Sequence, residues 1–464
     1  MNEGCDAIVV GAGIAGLATA EIAARSGLKV VLLEKNHSVC AEASGGHHGW
    51  FHFGSLYSIF PNNQFMRTLV GGIDDLLDYY SSFPRMNVRV GENGKLIFPS
   101  VPDAWIRDEP IQYIVAARND LDFDLRRFES PKRYAEKLLF TLGWDLNIKQ
   151  FISRHVRFHN FDWRIGPASE RIPMAGWLDY SRSVISKVHD IDCAIDQNTH
   201  FQISGFDRPM DARSIVRDLL SSFVGHGGML VNDCTFLSHR RVKGVNEVAT
   251  SKGSFGGKKL LFAMGRALAH SAGDHLRLRV VASPLLVAYP ALCGSNWARL
   301  TPFVERTVNH LLHHAADRPY SVVGGGYSAD ANDETAIART EERLRETAVR
   351  VFPQLRGAEM VEIYTGFKTE VVSGAGERNY QYFIRPIDED VFGLVPGKFS
   401  LGCSLAVNAY KKIWGKAPSR EVHGTASIPE GFVQRPKHEQ LVIDRLSKQP
   451  TAPRISAPSL ASTR

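Results

Sequence analysis

Cysteine is scarce in this 464-residue chain: Cys5, Cys40, Cys193, Cys234, Cys293 and Cys403 stand far apart, with no CxxC pair and no ligand-like spacing to histidine. That scarcity excludes a disulfide framework and a structural zinc site, and makes a reducing compartment, the cytoplasm, the expected location. An excess of one charge is missing too. The 55 basic and 49 acidic residues leave +6, spread along the chain rather than massed in one block. This gives no argument for nucleic acid and a slight bias toward an anionic small molecule. A convincing membrane segment is also lacking. The apolar run Ala7–Ala24 imitates one, but Glu3 and Asp6 precede it where a signal peptide carries positive charge, and glycines interrupt it. No basic amphipathic helix marks a contact with a membrane surface.

What is present is an ordinary globular composition, 44% apolar and 22% charged, in a length that allows roughly two to three domains. The first motif comes at once. A short β-branched run to Val10 leads into Gly11-Ala12-Gly13-Ile14-Ala15-Gly16, then a helical stretch to Ser26-Gly27, then a second apolar run from Lys29 to Leu33 that ends in Glu34. Strand, glycine turn, helix, strand and terminal acid form the dinucleotide-binding fingerprint. Gly11 permits the tight turn, Gly13 lets the backbone approach a pyrophosphate at the positive helix end, and Gly16 lets helix and strand pack closely. Ile14 and Ala15 open the helix over the phosphates. Glu34, with Lys35 after it, is placed to meet the adenosine ribose.

The fingerprint alone does not separate FAD from NAD. Where a nicotinamide domain would continue with another helix and strand, this chain has Ala43-Ser44-Gly45-Gly46-His47-His48-Gly49-Trp50-Phe51-His52-Phe53-Gly54-Ser55-Leu56-Tyr57. Here the sequence resembles the D-amino-acid oxidase superfamily of FAD-dependent oxidoreductases. It is most similar to the glycerol-3-phosphate and L-2-hydroxyglutarate dehydrogenase branch, whose small-residue segment is followed by His-x-Gly-x-x-Tyr, matched by His52, Gly54 and Tyr57. Two further stretches fit. Lys259 to Gly265 resembles the strand and glycine that return the chain to the nucleotide domain, and Gly393 to Ser400, before an expected helix through Ala406 to Trp414, resembles the family's Gly-Gly-Lys segment beside the flavin pyrimidine. Gly366-Phe367-Lys368 departs from the family's Gly-x-Arg-Pro, so Lys368 would hold a substrate anion only as a point charge. Residues 100 to 200 match nothing.

The resemblance implies an α/β protein with the two-domain glutathione-reductase-like FAD fold: a Rossmann-type parallel sheet from 1–80, 205–275 and 355–425, interleaved with an antiparallel-sheet substrate domain from 81–204 and 276–354. A Pro-, Ser- and Lys-rich mobile tail is expected over 430–464. The implied cofactor is FAD, in a site of Gly11, Gly13, Ile14, Ala15, Gly16, Glu34, Lys35, Ser44, Gly45, His47, His48, Gly265, Gly397, Lys398 and Phe399. Noncovalent packing beside His47 and His48 is expected, with tethering through one of them as the alternative.

Moving a hydride from a carbon bearing OH or NH to flavin N5 requires a base for the heteroatom proton. His52 is the first choice, because histidine titrates near neutrality and the resemblance sets it beside the ring. Lys398 is expected to offset the negative charge of the reduced ring, and Tyr57, Lys368 and Arg385 to anchor substrate. The expected reaction is oxidation of a C–OH bond in a small, anionic metabolite, with oxygen, a quinone or a protein taking the electrons. An amine or amino-acid oxidase is the alternative on the same frame. A flavin monooxygenase or non-catalytic FAD holder is the alternative from another class, although Met264-Gly265-Arg266 replaces the Asp-Gly pair of aromatic hydroxylases. The triplet His310, His313 and His314 has helical spacing but no acidic or cysteine partner, so a solvated helix face is expected there rather than a metal.

Overall fold

The aliphatic run Cys5–Val10 forms an inner strand of an eight-stranded sheet in this computed structural model, which describes residues 4–53, 63–91, 96–116, 200–204, 207–300, 308–372, 378–379 and 381–448. Val30–Leu33 and Gly253–Phe262 flank it in parallel, and Met229–Val231 and Val391–Val395 extend the parallel set on the two sides. Antiparallel pairing is confined to the margin, where Phe236–Val242, Val245–Thr250 and Phe383–Asp388 return against their neighbours. The parallel strands are aliphatic at successive positions because both faces are covered. Ala7, Val9, Val30 and Leu32 enter one apolar cluster and Ile8, Val10, Val31 and Leu33 another.

The helix Ile14–Arg25 is buried along its whole length, packed on the helices Ala212–Gly225 and Gly402–Trp414. An ion pair within it is sealed in: Arg25 Nε lies 2.8 Å from Glu21 Oε1. Burying the two charges is tolerable because hydrogen bonds complete them. Ser222 donates to Glu21, and Arg25 donates to the carbonyls of Tyr79 and Ser419.

A second, nine-stranded sheet is mainly antiparallel and is built on Leu278–Tyr289 against Met360–Val372, in register from Leu278 opposite Val371 to Tyr289 opposite Met360. Alternation decides its faces. Leu286 and Ala288 pack under Leu344, Ala348 and Val351 of the helix Glu334–Val351, whereas Leu285, Val287 and Tyr289 pack with Val442 of the helix Lys437–Ser447. Among the described residues no helix is long and apolar enough to cross a membrane.

Three expectations are corrected. Residues 430–448 are not a mobile tail: Val39 and Val433 form a β-bridge, and Lys437–Ser447 is a helix with His438 and Val442 buried. Composition concealed the stripe of His438, Leu441, Val442 and Leu446 at helical spacing; residues 449–464 lie outside the described residues. Met360–Val372, expected in the nucleotide-binding block, belongs to the second sheet. Finally, His310, His313 and His314 stand on a strand, Val308–Ala315, not a helix. In a sheet covered on both faces, polar and apolar positions lose the two-residue period, and an i, i+3, i+4 pattern carries no helical information.

Candidate active site

The glycine turn is built by close contact. Gly11 has φ of +97°, and a Cβ there would stand 2.6 Å from the Ala263 carbonyl at the end of the neighbouring strand. A Cβ on Gly16 would stand 1.8 Å from the Gly11 carbonyl. Gly13 precedes the first helical residue without a side-chain cap, so the helix start presents bare backbone, as an anion-binding terminus does. Ile14 N–H donates to Ser44 Oγ at 3.0 Å, which brings the Ser44-Gly45 segment onto the same terminus. Gly265, with φ of +54°, follows the adjoining strand and completes this rim.

Glu34 is buried at the end of its strand. It accepts from Ala12 N–H at 2.7 Å and from the Asn36 backbone and side chain at 2.9 and 2.7 Å. Three bonds leave room on a carboxylate, which offers about four acceptor sites, for a ribose hydroxyl. Lys35 is different. Its side chain is half exposed and pairs with Glu42 at 2.5 Å, and Glu42 also approaches Arg266 at 3.6 Å.

The histidine segment lies beyond Gly45. His47 accepts the Gly49 N–H on Nδ1 at 2.8 Å and tilts against Phe399 with ring centres 4.7 Å apart. Among the described residues, its Nε2 and the Nδ1 of His48 are buried and have no hydrogen-bond partner. Burial pushes the His47 pKa down to about 4 and that of His48 well below the usual range; for His48, His52 and the charges of Lys398 and Lys368 add to the effect. His52 is also buried, stacked on Trp50 at 4.7 Å. Desolvation and the charge of Lys398 push it to about 4, and Asp207 opposes the fall.

Lys398 therefore acts on His48 and His52, as Lys368 does from the strand Met360–Val372. Lys368 Nζ is also 3.8 Å from Oε1 of the buried Glu370. Gly366 on the same strand brings its Cα close to Gly46, since a Cβ would stand 3.2 Å from the Gly46 carbonyl. Gly397 takes φ of +66° and turns the chain into Lys398 and Phe399; the helix expected through Ala406 to Trp414 spans Gly402–Trp414. Arg385 does not join this group: it is exposed, with its guanidinium 5.4 Å from the Phe383 ring centre. Gly54 and Tyr57 lie outside the described residues.

Several residues that sequence reasoning passed over complete the region. Asp207, fully buried, accepts from Phe53 N–H at 2.7 Å and from Trp50 Nε1 at 3.2 Å. His313 Nε2 meets the His48 carbonyl at 3.0 Å and its ring packs 4.6 Å from His438, which is bonded to the Tyr320 hydroxyl at 2.7 Å. From the C-terminal segment, Lys437 N–H donates to the Gly45 carbonyl at 2.8 Å, and Gln434 to Val39. No local signal marks these partners, because each meets its target across more than 100 residues of chain. Among the described residues no group of histidine, cysteine and carboxylates is arranged to hold a metal.

Comparison with known proteins agrees with this geometry. The family model described as "DAO: FAD dependent oxidoreductase" matches residues 6–99. No curated protein sequence matches the chain. Among solved structures, the dithionite-reduced L-alpha-glycerophosphate oxidase of Mycoplasma pneumoniae with FAD bound is similar at 16% identity and a TM-score of 0.62, over 92% of this chain and 99% of that one. Glycine oxidase from Geobacillus kaustophilus is similar at 13% identity and a TM-score of 0.57, over 92% and 99%. L-proline dehydrogenase from P. horikoshii is similar at 12% and 0.58, over 90% and 95%. At such identities the structural likeness speaks for the fold. The family match over residues 6–99 identifies the glycine-turn segment with that of FAD-dependent oxidoreductases, and the fold is similar to that of an oxidase with FAD bound. The closely packed glycine turn and the unpartnered nitrogens of His47 and His48 suit the two ends of that cofactor.

Proposed function

We propose that this enzyme oxidises a C–OH bond of a small anionic metabolite, in the manner of the glycerophosphate branch. The observation that carries the proposal is one buried histidine, His52, held between a carboxylate and the field of two lysines. FAD supplies the hydride acceptor, flavin N5. The protein supplies the proton acceptor and the charge. His52 is neutral at pH 7 because burial and Lys398 disfavour its cation, so it is free to take the hydroxyl proton. An anionic substrate beside Lys398 and Lys368 would cancel part of their field. His52 then becomes a stronger base as substrate binds, which links recognition of the anion to proton removal. Lys398 would offset the negative charge that reduction adds.

The wider arrangement follows the same reading. The parallel sheet is the nucleotide-binding domain and the antiparallel sheet the substrate domain of a glutathione-reductase-like fold, with the third nucleotide block beginning after Met360–Val372. His47 and His48 pack beside the ring without a covalent bond. A second reading, oxidation of an amine or amino acid, is favoured by the likeness to glycine oxidase and L-proline dehydrogenase, and a neutral His52 would serve an ammonium proton equally well.

One experiment separates these. Absorbance is recorded before and after acid precipitation, and the protein is then titrated anaerobically with hydroxy acids, polyol phosphates, amines and amino acids. Bleaching by a hydroxy acid or polyol phosphate alone supports the first reading, and bleaching by amines alone replaces it with the second. Colour left in the pellet would show a tether. In the His52→Ala variant FAD stays bound, and reduction by the active compound slows about a hundredfold or more; an unchanged rate removes His52 from the mechanism.

A further inference from the structure

Asp207 immediately precedes the strand that pairs with the histidine segment: Phe51 pairs with Arg208 and Trp50 with Pro209. Its carboxylate, with no exposed surface, reaches back to three successive features of Trp50–Phe53. Oδ1 receives the Phe53 N–H at 2.7 Å, while Oδ2 receives Trp50 Nε1 at 3.2 Å and stands 3.5 Å from His52 Nδ1. The Trp50 ring lies over His52 at 25° to its plane. Trp50 thus lies over the face of the imidazole, and Asp207 stands at its Nδ1 edge.

A carboxylate only accepts hydrogen bonds, so its approach to Nδ1 selects the tautomer that carries the proton there. We propose that Asp207 is the positioning residue of this site: it holds the proton of His52 on Nδ1, so that Nε2 is the unprotonated nitrogen that receives the substrate proton. The inference rests on the reading of His52 as the base. The 3.5 Å separation is long for a hydrogen bond, in keeping with catalytic pairs that tighten only when substrate is bound. The competing explanation is that Asp207 merely caps the short strand through Phe53 and Trp50. That role would make no distinction between the two imidazole nitrogens.

The test uses the FAD-bound enzyme labelled with ¹⁵N-histidine. Long-range proton–nitrogen spectra are recorded at pH 7.5, and the His52 signals are identified by their loss in His52→Ala. Protonation at Nδ1 in the wild type is expected, with a move to Nε2 in Asp207→Asn, whose amide can donate to Nδ1. An Nε2-protonated His52 in the wild type, or an unchanged tautomer in the variant, overturns the proposal. Should Asp207→Asn fail to retain FAD, the wild-type spectrum alone decides.

The kinetic arm uses whichever of lactate, 2-hydroxyglutarate, glycerol 3-phosphate, glycine or proline bleaches the wild-type flavin. Asp207→Asn should lower kcat about a hundredfold with KM changed less than threefold, and adding it to His52→Ala should cost nothing more, since the two act as a unit. A slow His52→Ala beside a fast Asp207→Asn overturns the pairing only. A fast His52→Ala instead removes the base reading on which the pairing rests.

Discussion

The glycine turn and the histidine segment are the two ends of one proposed cofactor site, and they are made in opposite ways. The first is backbone: Gly11, Gly13 and Gly16 lie within one hexapeptide, and what matters is the space left where side chains would be. The second is side chain, assembled from His47, His48, His52, Asp207, His313, Lys368, Lys398 and His438. An end that recognises a pyrophosphate common to a large superfamily is served by a local motif. An end that sets the reaction draws on groups that only the completed fold brings together.

Substitutions can sharpen that contrast. The largest effect is expected at Gly16, where an Ala methyl would overlap the Gly11 carbonyl and must force helix and strand apart. Gly16→Ala should leave the protein unfolded or its melting temperature lower by 10 °C or more, as differential scanning fluorimetry would record. Gly13→Leu should be gentler on the fold, since a Cβ there meets only Ser44 Oγ at 3.3 Å. The longer side chain, however, fills the approach of the pyrophosphate, so the purified variant should be colourless and take up no added FAD. A yellow Gly13→Leu protein would show that the phosphates lie elsewhere.

The histidine end should betray itself in acid. His52 and His310 are held at about 4 and His438 at about 3, each mainly by burial, against 6.5 for the free side chain. The unfolded chain takes up protons near pH 6.5 that the folded chain refuses until near pH 4. Their contribution is complete above 6.5 and is lost as the pH falls from there toward 4, by roughly 1.4 kcal/mol per histidine per pH unit. Urea unfolding at pH 5 should therefore show clearly lower stability than at pH 7, and His310→Asn should flatten the difference. A stability that does not fall between pH 7 and 5 would contradict the burial of these rings. The smallest effect is expected at Arg385. Exposed on an edge strand, it should tolerate Ala with KM within twofold of the wild type in steady-state assays.

The glycine turn, the strands on either side of it and the helix Ile14–Arg25 between them were legible in the sequence because each is a run of neighbours with one period. Asp207 was not, since nothing around it marks a residue that will meet Phe53 across 154 positions. The misreading of His310 and His313 has a sharper cause. His310 bonds to the Ser295 carbonyl and the Ser321 hydroxyl on one face of the sheet, and His313 to the His48 carbonyl on the other. A helical period and a doubly buried strand look alike when both faces are filled. The mobile tail was expected for a related reason: the few residues that dock it, His438 and Val442 above all, are outnumbered by polar ones.

That docking has a consequence in time as well as in space. Ser38 and Gln434, bonded at 2.9 Å, are separated by 396 positions, and Gly45 is held by Lys437. During synthesis, at about 5–20 residues per second, the glycine turn leaves the ribosome roughly 20–80 seconds before the segment that braces the loop beside it. A nascent chain can thus display its nucleotide fingerprint long before it can close on the cofactor, and a tag or cleavage that loosens residues 430–447 would return a finished enzyme to that earlier state.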